Sequence, residues 1–326
     1  MNLLALVSRG LRFHRRTHWG VLAGCALSSA VLSGALFVGD SVKGSLRGIA
    51  LARLGRIEEA LDSGPRTFRD DLAARLGRET APALRVPGMA IREGPGGRQV
   101  NRVDVVGADA AFFALAGGRE PLELAPGRVA LNGKLAAALG VKVGDEMALR
   151  VFRPSLLSRE APLATQKAND RETRRIPLTV QIILPDDQGG RFGLKSDQSV
   201  PYNAFVALRE LQGVLEMEGQ ANLIVAAGTD SGALPSRLPG VLTLQDLGLA
   251  LRPAPGLLQL QSSRIYLDPG TARRALALRP HSIGVLSYMV NEISSAQGRK
   301  TPYSFMTALS PGADPALGAV PADMKD

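Results

Sequence analysis

Trp19-Gly20-Val-Leu-Ala-Gly24-Cys25-Ala26-Leu-Ser28-Ser-Ala30-Val-Leu-Ser-Gly34-Ala-Leu-Phe-Val38 is an uncharged, mostly apolar run of 20 residues close to the amino end of a 326-residue chain. At 1.5 Å rise per residue, a helix of that length covers roughly 30 Å, the hydrocarbon thickness of a bilayer. The run therefore reads as a transmembrane helix. Ahead of it, residues 1–18 carry Arg9, Arg12, Arg15 and Arg16 and no acidic residue. Such a basic flank holds the amino end in the cytoplasm and sends everything after Asp40 outward. The competing reading is a cleavable secretory signal, with Ser33-Gly34-Ala35 as small residues at a cleavage site. Against it, the apolar run exceeds the usual length of a signal core, and Trp19 occupies an interfacial anchor position. Both readings export the remainder of the chain. A mitochondrial transit peptide fits less well, because the arginines precede a membrane-length apolar block and not an amphipathic one.

No second uncharged apolar run of this length follows Val38, so the remaining roughly 285 residues read as soluble, enough for one large or two modest domains. The formal net charge is +9, of which residues 1–18 contribute four. A surplus spread thinly over a folded body, with only 4% aromatic residues, argues against a nucleic-acid partner, because base stacking needs aromatics among the basic residues. The single cysteine, Cys25, lies within the apolar run, so the exported body is held by its packed core and not by disulfides within the chain. A thiol in hydrocarbon has its pKa raised and reads as inert filler.

Within the apolar run, small residues recur every four positions: Gly20, Gly24 and Ser28 in one stripe, Ala26, Ala30 and Gly34 in another. Small stripes let a neighbouring membrane helix approach closely, and their other reading is the general abundance of glycine in membrane helices. Upstream, Leu3, Leu4, Leu6, Leu11 and Phe13 fall on one side of an amphipathic segment suited to the membrane surface.

Past the membrane, Val42, Leu46, Ile49, Leu54, Ile57 and Leu61 predict a helix over 41–61, continuing the anchor as a stalk until Asp62-Ser-Gly-Pro65 stops it. A short helix is expected over Phe68–Leu76. Ala81–Met89 is expected to be extended and broken by Pro82 and Pro87, and Gly94-Pro-Gly-Gly97 a tight turn into a strand over Gln99–Val106. Asp109 is placed to cap a short helix. Arg128–Asn132 reads as a strand, Gly133–Leu139 as a helix ended by Gly140, and Met147–Phe152 as the next strand. The elements alternate too quickly for a doubly wound parallel sheet. The expected class is α+β: one amino-terminal membrane helix, then a mixed α/β extracytoplasmic domain with two lobes. Arg153–Arg175 reads as a loop, and glycine- and proline-rich runs at Gly228–Gly240 and Arg252–Gly256 bracket a candidate smaller lobe.

Val129-Ala-Leu131-Asn132-Gly-Lys-Leu-Ala-Ala-Ala-Leu139-Gly140-Val-Lys-Val-Gly144-Asp145, following a first membrane helix, resembles the periplasmic domain of MacB/FtsX-type ABC transporter permeases. Pro177–Leu184 with its glycine-rich turn, Pro201–Leu208 and Ala221–Val225 are similar to the later half of that domain. Tyr288-Met-Val-Asn291-Glu292 and Thr301-Pro-Tyr-Ser304 are similar to the segment before the second membrane helix. The likeness covers most of the chain, and its motifs describe turns, caps and cores, not chemistry. It implies residues 1–18 as a cytoplasmic head, 19–38 as the span, 39–300 as the MacB-like core domain and 301–326 as a segment leading toward a second membrane helix. It implies an inner-membrane location, a separate ABC ATPase subunit, and a polytopic permease partner or a homodimer. Family permeases continue into three further membrane helices, and no such segment occurs up to Asp326. The expectation is a truncated or split permease or an amino-terminal fragment, and the small stripes would face the missing bundle or a second subunit. The alternative class is a single-pass, membrane-anchored periplasmic binding or scaffold protein that works without an ATPase.

Chemistry is sparse. His14 and His18 are spaced i, i+4 with no acid or cysteine beside them, and His281 falls on the far side of the membrane, so no metal site is expected. Asp186-Asp187 lacks the ligand spacing of a calcium loop. Gly298-Arg-Lys300-Thr301 lacks the glycines of a phosphate loop, and no Ser-His-Asp or Cys-His arrangement is apparent. The chain is expected to be neither an enzyme nor a cofactor carrier, with any ATPase activity in another subunit.

Overall fold

A computed structural model describes residues 3–77, 79–94, 96–117, 122–154, 173–195, 199–228, 233–254, 257–262, 267–278 and 282–309. His281 and most of the 153–175 loop lie outside them, as do residues 310–326. The described chain falls into two compact units, 1–247 and 248–326.

The first unit begins with helix α1 (Leu3–Phe13) and, after a break at His14, helix α2 (Arg15–Ala52). Its 38 residues make a rod about 57 Å long. Strands β1 (Glu59–Asp62) and β2 (Phe68–Arg69), helix α3 (Leu72–Leu76), and the long strands β3 (Thr80–Arg92) and β4 (Arg98–Ala108) follow. Next come α4 (Ala110–Leu115), β5 (Arg128–Asn132), α5 (Gly133–Leu139), β6 (Glu146–Phe152) and β7 (Thr173–Leu184). A five-residue π-turn at Asp186–Gly190 leads to β8 (Tyr202–Ala207), α6 (Leu208–Val214), β9 (Gln220–Ala221), β10 (Leu223–Ala226) and α7 (Ala233–Val241).

Eight strands form one sheet in the order β1-β10-β3-β4-β8-β5-β7-β6, and β6 returns to pair with β3. The β4–β8 and β5–β7 pairings are parallel and the others antiparallel. The fold is therefore mixed α and β. Gly88 sits where β3 is approached by both β4 and β6. A Cβ there would lie 2.8 Å from Val105 Cγ2 and 3.0 Å from the Arg150 carbonyl oxygen, so only glycine fits the double crossing.

Alternation along β4 sends Val103 and Val105 into one core and Val106 and Ala108 into another. On the first side α5 and α6 contribute Leu135, Leu139, Leu208 and Leu211. On the second, α4 drives Phe112 and Phe113 against Phe192 and Phe205 with edge-on ring contacts. A third cluster joins Phe68, Leu72 and Leu76 to Ile224 and Leu234. Buried polar groups pin the connections. Asn132 Oδ1 accepts from Leu135 N at 3.0 Å, capping α5, and Asn203 Nδ2 donates to the Gly190 and Phe192 carbonyls, holding the π-turn onto β8.

Several sequence expectations change. The helix expected over 41–61 ends at Ala52, and Leu61 belongs to β1, which pairs with β10 from 160 residues downstream. Phe68–Leu76 is a strand followed by a helix, because Phe68 and Arg69 pair with β9. Ala81–Met89 is extended but unbroken: Pro82 stands opposite Ile224 and Pro87 opposite Asp104 within one 13-residue strand. Helix α7 lies inside the run expected to border a smaller lobe, and its Leu234 belongs to the first unit's third core.

The second unit holds strands β11 (Leu249–Ala254) and β12 (Leu257–Ser262), helix α8 (Pro269–Leu278), and the hairpin β13 (Val285–Ser294) with β14 (Lys300–Leu309). Thr271 N donates to Asp268 Oδ2 at 3.0 Å at the start of α8.

Candidate functional site

The candidate site is the amino-terminal helix pair together with its junction to the sheet. Helix α2 is the one helix, among the described residues, long and apolar enough to cross a membrane. None of its residues is buried; Leu27 is 68% exposed and Phe37 74%. A water-soluble protein rarely displays so continuous an apolar surface, and a lipid environment removes the cost.

The small residues keep their predicted spacing on this rod. At about 100° per residue, Gly20, Gly24 and Ser28 form one strip and Ala26, Ala30 and Gly34 a second, with Leu27 and Val31 between them. A Cβ at Gly20, Gly24 or Gly34 would meet nothing within 4 Å. The helix thus carries a ridge flanked by two shallow grooves, the shape that receives another helix. Arg9 and Arg12 lie on α1, and Arg15 and Arg16 open α2 just past the break at His14. Leu6, Val7, Leu11 and Phe13 of α1 are exposed. His14 and His18 bring their rings to 6.3 Å, and the Phe13 ring stands edge-on to His14.

The junction is where the rod enters the fold. After Ala52 the chain turns through Gly55, whose φ is +61°. A Cβ at that position would stand 2.5 Å from both the Ala116 carbonyl carbon and the Gly117 nitrogen, so Gly55 is the contact that lets the two backbones touch. Arg56 N donates to the Leu115 carbonyl at 2.8 Å, and Glu58 N to the Ala226 carbonyl at 2.9 Å. Ile57, 4% exposed, enters the core with Phe112 and Phe113, and Leu54 packs on that cluster. Strand β1 starts at Glu59 with no intervening loop. Only a few residues, each hydrogen-bonded or buried, separate the end of α2 from the edge of the eight-stranded sheet.

The sequence reading did not find this joint, because the apolar period runs on through Leu54, Ile57 and Leu61 whether the segment is helix or strand. A glycine inside that period was the available signal.

Elsewhere the polar groups are structural. A cleft of about 810 Å³ is lined by Asp70, Asp71, Asp109, Glu123 and Arg209 among others. Asp70 accepts from Gln212, Asp71 pairs with Arg69 and Arg75, and Asp109 caps α4 through Phe112 N. Among the described residues no group of three or more His, Cys, Asp or Glu is placed to hold a metal ion. Asp186, from the acidic pair, forms an ion pair with Arg191 at 2.5 Å.

A buried ion pair closes the first unit. Arg75 Nη2 donates to Asp246 at 3.0 and 2.9 Å, while Nη1 donates to the Val241 carbonyl at 2.6 Å. Burial pushes the Asp246 carboxyl up, but hydrogen bonds from the Thr243 N–H and hydroxyl, joined by Arg75, overcome it and hold the carboxyl below its ordinary value. The Arg75 guanidinium is raised, chiefly by its bond to Asp246. Thr243-Leu-Gln-Asp246 has the spacing of a capping box, a signal present in the sequence but not used above.

No protein-family profile matches the chain, and no curated protein does. Solved structures do match, 17 chains in all. One is the periplasmic region of MacB from Actinobacillus actinomycetemcomitans, with a TM-score of 0.33 at 10% identity over 65% of this chain and 84% of that one. Another is the extracellular domain of the noncanonic ABC-type transporter YknZ from Gram-positive bacteria, with a TM-score of 0.31 at 10% identity over 55% of this chain and 86% of that one.

Proposed function

We propose that the chain is a permease-type subunit of an ABC transporter: α2 crosses the inner membrane, α1 and the arginine cluster stay on the cytoplasmic side, and the sheet units stand outside. The subunit carries no catalytic step. Its work is mechanical, passing motion driven by a separate cytoplasmic ATPase into the extracytoplasmic sheet for export or lipoprotein release.

The observation that supports this most is the joint at Leu54–Glu58. A helix that serves only as a tether is joined to its domain by a flexible linker, because nothing has to be transmitted. Here an uninterrupted helix reaches Ala52, and its next residues are packed into the core and bonded to α4 and β10. A tilt or rotation of α2 would therefore act on the edge of the sheet. The open grooves beside Leu27 and Val31 give a partner helix a place to grip, and the amphipathic α1 suits the cytoplasmic membrane surface.

Gentle solubilisation of native membranes, affinity capture of the tagged chain and mass spectrometry test the proposal. The expected result is co-purification of an ATPase bearing a phosphate-binding loop, together with a polytopic membrane protein or a second copy of the chain. Recovery of the membrane-bound chain with neither would leave an anchored scaffold or binding protein in its place.

A further inference from the structure

Among the described residues, three that are not glycine have positive φ: Arg102, Glu216 and Tyr303. Two of them occupy the same place in two different hairpins. In β3–β4 the last pair before the turn is Arg92 with Arg98, leaving residues 93–97 to close it; in β13–β14 it is Ser294 with Lys300, leaving 295–299. Both turns are five residues long and contain glycine at positive φ: Gly94 and Gly96 in the first, Gly298 in the second. Arg102 (φ +59°) lies six residues before the end of β4 at Ala108, and Tyr303 (φ +51°) six before the end of β14 at Leu309. Each hairpin follows a short helix, α3 or α8. A left-handed residue inside a strand is costly for anything but glycine, so its recurrence at one register position marks a built feature. The two hairpins differ in one respect: the first shifts register between Gly88 and Ala90, whereas the second keeps its register past Asn291.

The kink has a visible purpose in the first hairpin. Directly after Arg102, Val103–Ala108 lies in parallel register with Tyr202–Ala207 of β8, and Val103, Val105 and Val106 are at most 1% exposed. Directly after Tyr303, Ser304–Leu309 pairs with β13 on one side and, in its two-stranded sheet, with no other strand. Phe305 is 77% exposed and Met306 43%, on opposite faces. A lone two-stranded ribbon with apolar residues on both faces is marginal in water.

We infer that the β13–β14 hairpin is a second copy of the β3–β4 hairpin, and that its edge at Ser304–Leu309 takes a parallel, apolar strand as Val103–Ala108 takes β8. The strand comes from outside residues 1–326. A parallel neighbour must be proline-free over about six residues to keep its ladder bonds. Residues 310–326 carry Pro311, Pro315 and Pro321 and have no proline-free run longer than five. The strand β8 is itself held on both sides, by β4 and β5.

Photo-crosslinking tests this on the full chain in native membranes, with p-benzoylphenylalanine placed at position 305 and, separately, at 307. The expected result is one crosslinked, proline-free segment outside residues 1–326, reached from 307 at a point two residues towards its carboxyl end from that reached from 305. Amides of Ser304–Leu309 should then exchange as slowly as those of Val103–Ala108. Crosslinks to residues within 1–326 or to lipid, the reverse order of sites, or no crosslink at either position would each overturn the inference.

Discussion

Apolar side chains meet opposite fates in helix α2 and in the sheet it joins. Leu22, Leu27, Leu32 and Phe37 are each at least 60% exposed, while Leu84, Leu131, Leu149 and Phe205 are fully buried. The residues are chemically alike, so the difference lies in the solvent each region is made for. The sheet buries both faces because water surrounds it, and α2 covers nothing because hydrocarbon would replace water around it. Between them, Gly55 and its neighbours form a stiff hinge-free joint. Comparing the two regions separates stability held within the protein from stability supplied by the membrane.

The largest expected effect is in the sheet. Phe205→Ala removes the ring that meets Phe112 and Phe113 and should cost about 3–5 kcal/mol in denaturant unfolding of the exported units, with membrane association unchanged. The mirror experiment is Ala30→Arg in α2. It should cost about 2.5–3.5 kcal/mol in membrane insertion, read by a glycosylation-site insertion assay, while leaving the melting of the sheet untouched. If Ala30→Arg instead lowers the sheet's melting temperature, the division between the two regions fails.

The joint comes next. Gly55→Ala combines a left-handed backbone with a 2.5 Å clash against Ala116 and should destabilise by about 2–3 kcal/mol. The loss should appear as faster hydrogen exchange at Arg56 and Glu58, ahead of any change in β5 or β7.

How much of this was legible follows the range of the interactions. Local chemistry could be read directly. Asp109 and Asn132 cap their helices with oxygens 2.9 and 3.0 Å from the amides three residues on, and the turn at 94–97 closes with Gly97 N on the Gly94 carbonyl. The apolar run announced α2 by length alone. Long-range pairings left no local trace: Leu61 fits a helical period as well as its place opposite Ile224. Pro82 and Pro87 looked like breaks, yet a strand tolerates proline where the ladder does not need its N–H. Of the candidate site, the small stripes and the arginines were visible in the sequence. The joint was not, because its meaning depends on Ala116 and Ala226 arriving from elsewhere in the chain.

A smaller effect should come from the carboxyl-terminal end of the first unit. Asp246 has its pKa lowered in the folded state, so its contribution is present above the unfolded carboxyl value near pH 4 and is lost as pH falls through the folded value below it. Asp246→Asn should cost about 1–2 kcal/mol at neutral pH. In thermal melts from pH 6 down to pH 2, the advantage of the natural chain over the variant should shrink towards zero. A gap that stays constant across that range would detach the stability from the Asp246 charge.

The smallest expected change sharpens the same contrast within the second unit. Tyr303→Gly relieves a left-handed tyrosine and should stabilise the β13–β14 hairpin by up to about 1 kcal/mol, while Tyr303→Val should weaken it by a similar amount. Hydrogen exchange of Val285–Ser294 reads both. Equal exchange in the two variants would mean that the kink is not part of the hairpin's design.

The central claim is that α2 crosses the membrane with its amino end inside and the sheet outside. It is tested most directly in a Cys25→Ser background carrying either Ser8→Cys in α1 or Ser45→Cys in the outer part of α2, with intact spheroplasts treated with a membrane-impermeant maleimide. The account predicts labelling at position 45 before lysis and at position 8 only after it. Labelling of both positions in intact spheroplasts, or of position 8 alone, would contradict it.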